Sequence, residues 1–139
     1  MKPLVAMTLM TAVLLVSCAP TTDRVLDTGD ETQLQKRSYQ SRIFDTSDRE
    51  KVLRATISTL QDLGFVIDRA DSILGTVSGT KFEGYQIKIT VTVRPKSNDR
   101  MLVRANAQFN VTPIEDPKQY QEFFVSLEKS LFLVAHEVD

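Results

Sequence analysis

The chain has 139 residues and a formal net charge of −1 at pH 7, enough length for one domain with a substantial core. Near-neutral charge argues against nucleic acid as a partner, which calls for a concentrated basic surface. One cysteine excludes an intrachain disulfide framework.

The N-terminus has the order of a secretory signal: Lys2 supplies a positive charge, residues 4–16 form an apolar run, and the small Ser17 precedes Cys18. The run is too short to span a bilayer as a mature helix, which needs roughly 20 residues. Leu15-Val16-Ser17-Cys18 resembles the lipobox of bacterial lipoproteins. The resemblance implies cleavage between Ser17 and Cys18 and acyl chains, palmitate among them, on Cys18. Each buried CH₂ of such a chain contributes about 0.8 kcal/mol to membrane attachment. Ala19 follows the cysteine in place of the aspartate of inner-membrane retention. By the same resemblance this implies the outer membrane, with the protein facing the periplasm. No second apolar run follows, so the lipid on Cys18 is the membrane contact expected.

Residues 19–37 are polar, rich in Thr, Asp and Gln, with Pro20 and Gly29 and no visible period. They read as a flexible tether, with a mean reach of about 25 Å for roughly 18 residues. The expected organisation is therefore a signal peptide at 1–17, a lipidated cysteine and tether at 18–37, and a periplasmic domain at 38–139.

Tyr39 to Phe44 reads as a first short strand. Ser47-Asp48-Arg49-Glu50 then has the form of a capping box, with Ser47 at the N-cap and Glu50 reaching back. Val52, Leu53, Thr56, Ile57, Leu60 and Leu63 follow at helical spacing, so a helix is expected over 48–63. Gly64 supplies the left-handed residue that ends it, with Phe65 packing back on Leu60. Residues 65–68 and 73–80 read as strands joined by a turn at 70–72, and Phe82-Glu83-Gly84 as a further turn.

Two alternating runs come next. Tyr85, Ile87, Ile89, Val91 and Val93 alternate with Gln86, Lys88, Thr90, Thr92 and Arg94. After the loop at 95–99, Met101, Val103, Ala105, Ala107, Phe109 and Val111 alternate with polar neighbours. A period of two means one buried and one wet face on each strand, and the short loop makes an antiparallel hairpin. Asp116-Pro117 opens a last helix, whose apolar stripe runs from Tyr120 through Phe123, Phe124, Leu127 and Leu131 to Val138. Ala105 and Ala107 leave room for its aromatic side chains.

The expected order is β-α-β-β-β-β-α. Two amphipathic helices and a sheet with one apolar face resolve into an α+β two-layer sandwich, both helices on one face of an antiparallel sheet. The other sheet face carries Lys88, Thr90, Thr92, Arg94, Arg104, Asn106 and Gln108.

Catalytic patterns are not found. His136 is the one histidine, beside a helix C-terminus, where a favourable dipole contact is the simpler role. It has no partner at metal-ligand spacing, so no metal and no cofactor is expected. No Ser lies in a G-x-S-x-G elbow, and Gly75, Gly79 and Gly84 are not followed by the Lys-Ser/Thr of a phosphate loop. Asp68 and Asp71 sit near a turn that such residues commonly stabilise. No catalytic residue is assigned and an enzyme is not expected.

Three stretches resemble a group of small proteobacterial envelope lipoproteins without assigned activity. They are Arg42-Ile43-Phe44-Asp45-Thr46, Leu60-Gln61-Asp62-Leu63-Gly64-Phe65, and Asp116-Pro117 through Tyr120-Gln121-Glu122-Phe123-Phe124 to Leu131-Phe132-Leu133. The element order is also similar to the helix-grip domains of outer-membrane assembly lipoproteins, a likeness of topology alone. Anchor, tether and a domain without catalytic residues point to a binding or accessory module. It would dock on a larger envelope complex for secretion, efflux or outer-membrane assembly, with Lys88, Arg94 and Arg104 as the candidate docking face. The alternative is a carrier or sensor of a small apolar ligand or lipid, held between the helices and the sheet.

Overall fold

The structure, a computed structural model, describes residues 32–136, with side chains to residue 132. The expected signal peptide, Cys18, Ala19 and the part of the expected tether up to residue 31 lie outside the described residues, as does the side chain of His136.

The fold is an α+β two-layer sandwich. In chain order it comprises α1 (Gln33–Gln40), β1 (Ser41–Phe44), α2 (Arg49–Asp62), β2 (Val66–Asp71), β3 (Thr76–Phe82), β4 (Gln86–Ser97), β5 (Arg100–Phe109), β6 (Thr112–Pro113) and α3 (Pro117–His136). The sheet is antiparallel, in the order β1-β5-β4-β3-β2, with β6 pairing on β5 beyond β1.

The β4–β5 register places Ile89 opposite Ala107, Val91 opposite Ala105 and Val93 opposite Val103. These residues face the helices, and Val91, Val93, Val103 and Ala105 are fully buried. Phe124, Leu127, Val52 and Leu60 close the core from α3 and α2. The expected alternation is thus the one that the packing uses. The two helices are also tied to each other, Thr59 Oγ1 donating to Ser130 Oγ at 3.0 Å.

Both ends of α2 are capped locally. Asp48, not Ser47, is the N-cap, its carboxylate accepting from the Lys51 N–H at 2.9 Å. With Asp48 at the N-cap, Lys51 occupies the third helical position, so Glu50 is one residue early for a capping box and pairs instead with Arg54. At the other end Gly64 has φ +86°, and the N–H groups of Gly64 and Phe65 donate to Gln61 O and Leu60 O at 3.0 and 2.9 Å. This is the Schellman closure expected from Leu-Gly-Phe.

Other expectations are corrected, among them the loop expected at 95–99, which is reduced to two residues because β4 runs on to Ser97. Residues 33–37, read as tether, form most of α1, and Tyr39 and Gln40 are its last turn, not part of a strand. Thr32 caps this helix in a capping box with Gln35, a signature present in the sequence but attached to no apolar stripe. The strands 65–68 and 73–80 shift to 66–71 and 76–82, because the turn between them lies at 72–75. Asp71 builds that turn by accepting from the Leu74 N–H at 2.9 Å, and Gly75 closes it with φ +68°. Finally, a sixth strand, β6, returns on β5.

Candidate functional site

The sheet face turned away from the helices carries no covering element among the described residues. The register lays its side chains out in rows across the strands. One row runs Ser41, Arg104, Thr92, Thr76, Asp71, and the next Asn106, Thr90, Ser78, Arg69. A third runs Gln108, Lys88, Thr80, Val66, and Ile43, Leu102 and Arg94 form the outermost. Threonine and serine fill the middle of the face and suit a half-wet pleated surface.

All three candidate docking residues lie on this face. Arg94 is opposite Leu102 and so diagonal to Arg104, within the roughly 7–8 Å of such neighbours. Lys88 is six residues from Arg94 on β4, roughly 20 Å along the strand. The three are therefore a basic band rather than one cluster. Arg104 is half-buried and its Nε donates to Ser41 Oγ at 3.3 Å, which orients it along the row. On β1, β5 and residues 86–94 of β4 the open face carries no carboxylate. The acidic groups of the face are on β2. There Asp71 pairs with Arg69, and Asp68, at a bulge, accepts from Thr80 Oγ1 at 2.6 Å. The Leu74 N–H, with Arg69 beside it, holds the Asp71 carboxyl below the usual carboxylate range.

A second feature lies on the helix side, at the end of the sandwich where α2 finishes and α3 begins. A cleft of about 270 Å³ opens there between the helices and strands β3 to β5. Its floor is Leu63, Phe65, Ile87, Ile89, Ala107 and Tyr120. Lys81, Glu83, Tyr85, Gln119 and Glu122 stand around it. Of the two small residues expected to leave room, Ala107 lines the cleft, whereas Ala105 is fully covered by the packed core. Lys81 is built into the wall: its Nζ donates to Leu63 O at 3.2 Å, pairs with Glu83 at 2.8 Å and lies 5.5 Å from the centre of the Phe65 ring. The Leu63 carbonyl is at the C-terminal, electronegative end of α2, so the ammonium belongs there. At the rim Tyr85 meets Phe109 edge to face at 4.6 Å. Phe82, the last residue of β3, and Val111, on the β5–β6 turn, are exposed.

A space between the helices and the sheet is what the apolar-ligand alternative requires, and Ala107 is its local trace in the sequence. The charged rim has none, because Lys81, Glu83 and Glu122 come from β3, the β3–β4 turn and α3. Among the described residues no group of three or more His, Cys, Asp or Glu side chains is placed to hold a metal, and no helix is long and apolar enough to cross a membrane. No protein-family model and no curated protein sequence matches the chain.

Proposed function

We propose that this chain is a lipid-anchored accessory module of the cell envelope, held at the outer membrane through Cys18 and docking by its open sheet face on an acidic surface of a larger envelope complex. The supporting observation is the asymmetry of the sheet. One face is sealed by α2 and α3. The β4–β5 half of the other presents Lys88, Arg94 and Arg104 on a Thr-rich surface with no carboxylate between them. Such a band steers an acidic partner and sets its register. The lipobox resemblance supports the anchor and the periplasmic orientation.

The test is capture of the tagged, lipidated protein from crosslinked membranes, in parallel with the triple variant Lys88→Glu, Arg94→Glu, Arg104→Glu. The triple variant is expected to stay folded and to lose the partner. Lys88 and Arg94 are exposed, where each change shifts stability by about 0.5 kcal/mol or less, and Arg104 gives up one hydrogen bond, to Ser41, so the melting temperature falls only slightly. Phe124→Ala is the contrasting control: this ring is 1% exposed, and its loss costs about 3–5 kcal/mol and lowers abundance. A stable triple variant that recovers the same partner as the wild type overturns the docking face.

The cleft favours a second reading, a sensor of a small apolar ligand. Its volume of about 270 Å³ falls just short of the roughly 300 Å³ at which sites for drug-sized ligands begin, so bulk lipid carriage is the less favoured form of this reading.

A further inference from the structure

The cleft has a chemical bias that its size alone does not convey. We infer that it is a binding site for a small organic cation, an ammonium group on a short aromatic or aliphatic body. This rests on the second reading above and is independent of the docking face.

The body is set by volume and floor. A dry engineered cavity of about 150 Å³ takes benzene. A half-open cleft of about 270 Å³ therefore admits one ring or a short chain with a head group at the mouth, and nothing as large as a diacyl lipid. Leu63, Phe65, Ile87, Ile89 and Tyr120 offer that body apolar and aromatic surface.

The head is set by charge. The charged groups around the cleft are the carboxylates of Glu83 and Glu122 against one ammonium, that of Lys81, with the Leu63 carbonyl, the Gln119 amide and the Tyr85 hydroxyl as neutral partners. Lys81 already satisfies Leu63 and Glu83 and occupies the face of Phe65. It shows the chemistry that this wall stabilises: an ammonium on a carbonyl, a carboxylate and an aromatic face. Glu122 forms no ion pair among the described residues and is the carboxylate left over. An arriving ammonium finds Glu122, with the ring of Tyr85 at the same mouth. An arriving carboxylate meets two like charges, while the one cation there is already engaged.

The experiment uses the full lipidated protein in nanodiscs of zwitterionic lipid, with methyl-labelled isoleucine and alanine observed by NMR. Three probes share one body and differ in the head: phenethylammonium, phenethyl alcohol and phenylpropionate. The expected result is a saturable shift of the Ile87, Ile89 and Ala107 methyls. Phenethylammonium should bind about two- to fivefold tighter than the alcohol, as one exposed charge contact allows, and phenylpropionate weakest. Glu122→Gln, an exposed change that leaves the fold intact, should abolish the preference for the ammonium while retaining the alcohol. Equal affinity for alcohol and ammonium, tighter binding of the carboxylate, or a preference that survives Glu122→Gln each overturns the cation assignment. No shift of these methyls by any probe at tens of millimolar overturns the site itself. None of these outcomes bears on partner capture by the open face.

Discussion

The hydroxyl of Tyr120 accepts a hydrogen bond from the main-chain N–H of Ala107 at 3.1 Å, in the middle of a sheet edge. β1 covers β5 only from Met101 to Arg104, and β6 covers it only at Gln108 and Phe109. Between them the edge of β5 has no strand partner. Tyr120, from the first turn of α3, reaches into this gap. Its hydroxyl also donates to Ile114 O at 2.7 Å and accepts from Gln40 Nε2 at 3.3 Å. A helix side chain thus completes a sheet edge, joining α1, β5, α3 and the segment after β6 through one oxygen. The Tyr39 ring packs on that of Tyr120 with centroids 5.4 Å apart and planes tilted by 42°.

Tyr120→Phe keeps the ring and removes the oxygen. The Ala107 N–H and the Ile114 carbonyl then lose a partner in a half-buried place, which costs about 1–3 kcal/mol. The midpoint of urea unfolding should fall accordingly with an unchanged m-value. A midpoint equal to the wild type's would mean that water replaces the hydroxyl at no cost, and that the edge does not depend on it.

Gly75 and Gly84 both have positive φ, +68° and +78°, but differ in their surroundings. A Cβ at Gly75 would lie 2.4 Å from Arg49 Nη2 and 2.5 Å from Val93 O, whereas at Gly84 nothing lies within 4 Å. Gly84→Ala should therefore cost only the left-handed strain, about 1–2 kcal/mol. Gly75→Ala should cost clearly more, since the Val93 carbonyl belongs to the sheet and accompanies the Gly75 O···H–N Val93 bond of 2.8 Å. Thermal unfolding of the two variants side by side checks the order, and equal losses would refute the steric difference.

Asp71 gives the stability a definite dependence on acid. Its folded-state pKa is lowered, first by the Leu74 N–H bond and then by Arg69. A lowered folded pKa contributes stability that is present above the unfolded value of about 3.9 and is lost as pH falls through the folded value. Asp71→Asn can keep the turn hydrogen bond but has no proton to gain. The variant should be less stable near pH 6 and should lose less on acidification below about pH 4. Parallel acid unfolding curves for the two proteins would show that another carboxylate governs the acid limb.

Cys18→Ser should abolish incorporation of radiolabelled fatty acid and leave an uncleaved or released product. Ala19→Asp should shift the protein from outer- to inner-membrane fractions in a host with the common retention rule. Equal lipid incorporation by the serine variant would end the lipoprotein reading, and wild-type protein found chiefly in the inner membrane would end the sorting one.

Much of the sandwich is legible because local physics writes it into short stretches. The alternation over 85–94 and 101–109 assigns each side chain to a face before any partner strand is known, since the pleat has a period of two. It therefore places Lys88, Arg94 and Arg104 together on the open side. Leu63-Gly64-Phe65 ends α2 by rules that involve only a few neighbouring residues. Other features depend on groups distant in the chain. α1 has eight residues, too few to be stable alone, and none of them is buried. It is held by Lys36 on Glu115 and by Gln40 on Tyr120, contacts 79 and 80 positions apart, so polar composition there misleads although Thr32 and Gln35 spell a cap. The shift of the N-cap from Ser47 to Asp48 was settled by which side chain reached the free N–H groups. The cleft belongs wholly to the tertiary structure. Lys81, Glu83 and Glu122 carry no pattern in sequence, and their charges act on one another only because the sheet and the two helix ends bring them to one mouth.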